Sequence, residues 1–416
     1  MSIQINQMKK NMFQSGKKPL LTLWYVFLIA VLALGAVAVG LRFSQGLATT
    51  HLTSAMPWGA WVAFYIYFVG MSAGAFLLSS LIHVFDMEHL EEVGRDATLV
   101  AIICMILALC FILLDLGHME RFWHSLWYWN FTSILSWEVR FYGLYILLLL
   151  AELYFALRHD LVLASRGEGL KATLAGILKL GSNDTSAEGQ ERDKRMLKIL
   201  GSIGIPIAIF GVHGGTGVLF AVVKAQAYWN SALFPVVFVI SALVSGTALL
   251  TALYVIRSRI SGKEIDISLV KSLAGWMVLF LLIDVGLQFF EILIGAYGLE
   301  EQELATLAAI FASDFSWSYW GVQMGIGVLV PLILYFNPGT RRSPTAMMLA
   351  GIAVVIGILG VRFNIVVPAL TVPVLKGLPS GYYYPTWVEW ASSGGIIGLG
   401  LLLYTLAIRY LPIDVE

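Results

Sequence analysis

The chain has 416 residues, 59% hydrophobic and 12% charged, with 26 basic and 26 acidic side chains and a net charge of zero. Soluble domains are about 45–50% apolar and about 25% charged, so a water-soluble enzyme, a disordered chain and a nucleic-acid binder are excluded. A mean hydropathy of +0.82, at roughly 22 residues per crossing, predicts about ten membrane spans.

Ten apolar stretches follow in chain order: 20–41, 57–84, 97–116, 134–156, 196–224, 228–256, 269–297, 317–337, 345–366 and 389–411. Runs of this length cross lipid as helices, because only a helix or a closed barrel satisfies the backbone there. The expected fold is all-α and polytopic. The first stretch follows Lys17 and Lys18 but is too long for a signal-peptide core, so it reads as an uncleaved helix. Cys104 and Cys110 share one apolar run, which gives neither a disulfide framework nor an iron–sulfur ligand set. The longest loop, 158–195, contains GSNDTSAEGQERDKR and reads as a polar linker. The GVHGGTG run at 211–217 follows no strand, so its glycines predict close helix contact or a bend.

Basic residues set the expected orientation. Twenty of the 26 fall on the side of the N-terminus, four (Arg42, Arg121, Lys224, Lys376) on the other, and Arg140 and Arg362 within spans. That asymmetry predicts two cytoplasmic termini.

Two segments repeat. SAGAFLLSSL (Ser72–Leu81) matches VSGTALLTAL (Val244–Leu253), and LLDLGHMERF (Leu113–Phe122) matches LIDVGLQFFE (Leu282–Glu291). Gly74 pairs with Gly246 and Asp115 with Asp284. Four helices separate the copies, so the repeat is parallel. The predicted organisation is a tail at 1–19, a first helix and outer loop at 20–56, a four-helix bundle at 57–224, a second at 228–366, and a last helix with its flanks at 367–416.

Ionisable groups inside spans are costly and point to function. Tyr65 is expected roughly 12 Å and His213 roughly 16 Å from the outer ends of their helices. Asp115, His118 and Arg121 fall at the outer end of the third helix, and Glu138 and Arg140 in the outer third of the fourth. These positions predict one pocket in the outer half of the first bundle. Asp284, Gln288 and Glu291 share one face of the seventh helix, with Gln323, Arg362 and Asn364 at comparable depth. Buried structural pairing is the competing role for Glu138, Arg140 and Arg362. His83 and His213 differ in depth, which argues against haem ligation within the membrane.

The segment LLDLGHMERFWHSLWYWNFTSILSWEVRFYGLY (Leu113–Tyr145) resembles the NrfD/PsrC family of polysulfide-reductase-type membrane subunits, as does TGVLFAVVKAQAYWNSALFPVVFVISALVSGTALL (Thr216–Leu250). The resemblance spans roughly 55–370. Asp115, Arg121, Asn130, Ser133 and Trp137 match the family pattern, whereas this sequence has the His213 His-Gly-Gly run where relatives often have Tyr. Ten helices match the longer members, of hydrogenase, menaquinone-reductase and alternative-complex-III type.

The resemblance implies a quinone-reactive subunit of a respiratory complex in the bacterial inner membrane, using menaquinone or ubiquinone and holding no haem or iron–sulfur cluster itself. It implies a periplasmic, ferredoxin-like iron–sulfur partner with a molybdopterin-type, hydrogenase or multihaem cytochrome subunit. A quinone headgroup needs hydrogen-bond donors and proton carriers, roles expected of Tyr65, Asp115, His118, Arg121 and His213. Ser72, Ser79 and His83 form a stripe at i, i+7 and i+11 that, with Asp115, Glu138, Arg140, Asp284, Glu291 and Arg362, is expected to move protons. A secondary transporter and a passive anchor are the competing readings, the first disfavoured by an off-centre site and the second by the cost of buried carboxylates.

Overall fold

The computed structural model describes residues 2–85, 87, 90–375 and 377–413, and all their side chains except those of 2–18 and 91. Lys376 and the side chains of Lys9, Lys10, Lys17 and Lys18, all counted in the charge asymmetry, lie outside that set. Every regular element among the described residues is helical. They are α1 (Ser2–Gln45), α2 (Ala60–Val84), α3 (Glu91–Asp115), α4 (His124–Trp127), α5 (Ile134–Ala164), α6 (Leu170–Leu178) and α7 (Ala187–Pro206). A π-helical segment, Ile207–His213, leads into α8 (Gly214–Ala221). Then come α9 (Phe234–Ser261), α10 (Ile267–Gly298) and α11 (Glu301–Ala312). A second π-helical segment, Ser318–Leu329, leads into α12 (Val330–Phe336), followed by α13 (Pro344–Thr371) and α14 (Trp387–Tyr410).

Local chemistry sets many of these ends. Ser133, Ser186 and Ser343 accept backbone N–H groups at the starts of α5, α7 and α13, and Thr386 with Glu389 closes a capping box on α14. Pro235 and Pro344 occupy first-turn positions where no N–H is needed.

Among the described residues, nine helices are long and apolar enough to cross a membrane, against the ten stretches expected. The difference is α5. Its 31 residues would extend about 46 Å, but Glu138, Arg140, Glu152 and Arg158 interrupt its apolar run.

The protein is a multi-pass helical membrane protein built around α2. The apolar stretch of α2 is 100% buried, whereas that of α1 is 11% buried. Helix α2 packs on α3, α7 and α9; α5 packs on α7; α9 packs on α10 and α13; and α1 packs on α14. The repeat partners Gly74 and Gly246 meet where α2 crosses α9. A Cβ on Gly74 would stand 1.8 Å from the Ala242 carbonyl oxygen, and one on Gly246 would stand 2.2 Å from the Gly74 carbonyl carbon. The two copies of the repeat therefore touch through bare backbone, the close approach small residues allow in lipid.

The 158–195 segment is not an irregular linker. Helix α5 continues to Ala164, α6 follows, and α7 begins at Ala187. Arg158 is buried and donates to Asp193 Oδ2 at 2.6 Å, to Ser182 Oγ at 2.9 Å and to the Asp184 carbonyl at 2.8 Å. Hydrogen bonds from the Ser186 hydroxyl and amide hold the Asp184 carboxyl below the usual aspartate range. Polar composition hid this order because its anchor is a pair 35 residues apart.

Candidate functional site

Tyr65, Ser72 and Ser79 fall seven residues apart on α2, and Glu138, Tyr145 and Glu152 fall seven apart on α5. Seven residues are nearly two helical turns, so each set lines one face. The two faces meet. Tyr142 donates to Glu138 Oε1 at 2.7 Å, Thr216 donates to the same oxygen at 2.6 Å, and the Tyr65 hydroxyl lies 2.6 Å from that of Tyr142. Next along the faces, the Tyr145 hydroxyl donates to the Ser72 carbonyl at 3.0 Å, while the Ser72 hydroxyl donates to the Ala101 carbonyl at 2.7 Å. At the third level Ser79 lies 2.9 Å from Thr98 and 3.3 Å from Glu152 Oε1. Glu138 and Glu152 are buried, and each keeps one carboxyl oxygen without a hydrogen-bond partner among the described residues. His83 lies one turn beyond Ser79, half-buried.

His213 ends the π-helical segment that follows Pro206. Proline removes an N–H and displaces the preceding carbonyl, and Gly214 lets the Ile209 carbonyl approach, since a Cβ there would stand 2.0 Å from its oxygen. The bend that the glycine run predicts is this π-turn, a geometry common at functional sites. His213 Nε2 lies 3.2 Å from Arg362 Nη2, which also donates to Ser241 at 2.9 Å. Arg362 is fully buried, with its guanidinium 4.7 Å from the Phe238 ring centre and Asp284 as its electrostatic partner. Gly211-Val212-His213 and Gly360-Val361-Arg362 thus bring their third residues together between the repeats.

The remaining expected residues do not join one pocket. Asp115 sits at the end of α3 with Arg42 and Glu389 as electrostatic neighbours, and its Oδ1 makes no hydrogen bond among the described residues. Arg42, expected in an outer loop, is buried and donates to the Leu114 and Leu116 carbonyls at 2.9 and 2.7 Å. His118 and Arg121 follow the end of α3, so no helix turns them inward. Their side chains are 69% and 61% exposed, and both pair with Glu120. Arg140 points away from Glu138, donating to the Ser125, Ser136 and Leu126 carbonyls and stacking over Trp129 at 4.5 Å.

Between α10, the Ser318–Leu329 segment and α13 a continuous run of amides forms. Gln288 donates to Asp284 at 2.6 Å, Gln323 to Gln288 at 2.7 Å, and Asn364 to Gln323 at 2.7 Å. It borders a cavity of about 50 Å³ that also meets Glu291, Tyr228 and Tyr319.

Sequence reasoning missed Tyr142, Tyr145, Glu152 and Thr216. The signal for two of them was present, since Tyr145 and Glu152 continue the seven-residue spacing from Glu138. It also missed Tyr383, which bonds Glu389 and accepts the Ala60 N–H at 2.6 Å. That contact joins residues 323 apart in the sequence.

The fold and its buried polar column define a polytopic helical membrane protein with titratable groups held between transmembrane helices. The family model described as "Polysulphide reductase, NrfD" matches residues 48–374, and the chain belongs to that family. It is 39% identical over 406 residues, 94% of each protein, to a subunit of the selenate reductase of Mesobacillus selenatarsenatis. It is 26% identical over 406 residues, 94% of this protein and 91% of the other, to "Menaquinone reductase, integral membrane subunit" of Nitratidesulfovibrio vulgaris. It is 28% identical over 323 residues, 74% of this protein and 94% of the other, to "Protein NrfD" of Escherichia coli.

Proposed function

We propose that this protein is the quinone-reactive membrane subunit of a multisubunit respiratory oxidoreductase in the bacterial cytoplasmic membrane, with α5 as a tenth crossing and both termini therefore cytoplasmic. The observation that carries the reading is the buried alignment of Tyr65, Ser72 and Ser79 with Glu138, Tyr145 and Glu152. Such groups are expensive in a passive anchor. They suit a couple whose interconversion moves two protons with two electrons.

The quinone headgroup binds at the periplasmic end of the first bundle. Asp115 approaches it from the end of α3 and His118 and Arg121 from the exposed rim, Tyr65 and Glu138 open the buried column, and His213 stays with Arg362 between the repeats. Electrons pass between the quinone and a periplasmic ferredoxin-like iron–sulfur subunit, accompanied by a molybdopterin-type, hydrogenase or multihaem cytochrome subunit. The similarity to a menaquinone reductase subunit favours menaquinone. Similarity along 94% of the sequence to a selenate reductase subunit favours quinol oxidation feeding a reductase.

The test uses the purified complex with its partners. Menadiol is expected to reduce the partner's iron–sulfur centres, and selenate to reoxidise them. Asp115→Asn and Tyr65→Phe are each expected to slow that reduction by about 10²-fold, the lower range for a lost proton-transfer group. Unchanged rates and quinol affinity in both variants, with the complex intact, would remove this site assignment.

A further inference from the structure

Asp115 has a second carboxyl beside it. Glu389 lies in the first turn of α14, and α14 packs on α3. Arg42 ties the two helix ends together. It donates to the carbonyls on either side of Asp115 at 2.9 and 2.7 Å, and its guanidinium lies 5.7 Å from the Trp61 ring centre. Trp61 in turn donates to Ser392 at 3.0 Å, and Ser392 donates to the Glu389 carbonyl at 3.1 Å. Glu389 is an electrostatic neighbour of Asp115, and the Tyr383 hydroxyl, which donates to Glu389 Oε1, has both as neighbours.

The capping box on α14 does not account for an acid at this position. Glutamine closes the same box, and Glu389 is fully buried, where a carboxylate is costly. The cap also leads to the surface. Glu389 Oε2 accepts the Thr386 N–H at 2.9 Å, and the Thr386 hydroxyl donates to the Thr49 carbonyl at 3.0 Å. Two residues on, His51 Nδ1 lies 2.7 Å from the Tyr384 carbonyl oxygen. A carbonyl only accepts, so Nδ1 carries the hydrogen and Nε2 of this exposed imidazole is left to take a proton. His51 is a further electrostatic neighbour of Glu389.

We infer that Glu389 is the proton outlet of the quinone site, taking protons from Asp115 and releasing them to the outer surface through His51. The inference rests on the quinone-linked reading above. Oxidation of a quinol breaks two O–H bonds and sends two electrons to the partner's iron–sulfur centres. Asp115 Oδ1, which makes no hydrogen bond among the described residues, accepts each hydroxyl proton in turn. Glu389 takes the proton on, and His51 gives it to water. Quinone reduction uses the same path inward. Glu389 acts through Asp115 and does not touch the quinol.

The purified complex with its partners is mixed with menadiol, and reduction of the partner's iron–sulfur centres is followed. Glu389→Gln keeps the capping box and is expected to slow that reduction at least about tenfold, with menadiol affinity unchanged. Azide, a small weak acid that ferries protons, should restore most of the rate. His51→Asn, which keeps a donor for the Tyr384 carbonyl, should slow the reduction several-fold and recover with imidazole. If Glu389→Gln fails to assemble, the exposed His51→Asn decides alone. Wild-type rates in either variant, or a loss that azide or imidazole does not restore, overturn the inference, and a slow Asp115→Asn then leaves the quinone site standing. Asp115→Asn at the wild-type rate removes the site and its outlet together.

Discussion

Glu152 is the residue on which the polar column turns. It is fully buried in the run LLLLAELYF, takes one hydrogen bond from Ser79 at 3.3 Å, and leaves its other oxygen without a partner among the described residues. Glutamine is nearly isosteric and keeps the Ser79 bond while removing the proton-binding group. Glu152→Gln is therefore expected to change thermal stability by less than about 1 kcal/mol and to slow quinol-driven turnover at least tenfold. A melting curve and a steady-state assay on one preparation separate the two effects. Glu138 and the α2 serines stood out in the sequence because a carboxylate or a polar stripe in an apolar span is conspicuous. The pairing of α2 with α5 did not, because register between helices depends on which faces meet. Asp115 and His118, three residues apart, read as one cluster; the end of α3 at Asp115 separates them, burying one and exposing the other.

Most span positions were legible at the scale of elements because apolar length writes them directly, and the matched glycines Gly74 and Gly246 are where α2 meets α9. The order within 158–195 was not, because it rests on the buried Arg158–Asp193 pair. Breaking a buried pair by removing one partner typically costs about 3–5 kcal/mol. Arg158→Met should cost that much, and adding Asp193→Leu should recover most of it, read as thermal stability and protease resistance of the α5–α7 connection. A weaker contribution comes from Asp184 at the start of α7. Its carboxyl is held below its usual value by Ser186, so the stabilisation is complete above the unfolded-state value and is lost as pH falls through the folded one. Amide protection factors at 184–189, taken against the intrinsic exchange rate at each pH, should fall in acid before those of the spans do. The Gly74–Gly246 crossing is less forgiving than either. Gly74→Val would drive added methyl groups into the Ala242 backbone, which cannot yield as a flexible side group would, so little folded protein should be recovered from membranes.

At the scale of the whole molecule, the column and the proposed electron path have different directions, and that difference has a measurable consequence. Tyr65 to Ser79 spans fourteen residues, about 21 Å of helix in a hydrocarbon core of about 30 Å. Electrons entering or leaving near Asp115 for a periplasmic subunit cross almost none of that thickness. A membrane potential then requires protons to cross, and the proposed path is the column, through Glu152, Tyr145 and Glu138. Complex reconstituted in one orientation into proteoliposomes should generate an uncoupler-sensitive potential during menadiol oxidation. In Glu152→Gln the potential per electron should fall further than turnover does, because the variant interrupts the proposed proton path. Wild-type turnover with no potential would mean that the column only holds α2 against α5. Glu152→Gln and wild type would then give the same potential per electron, zero in both.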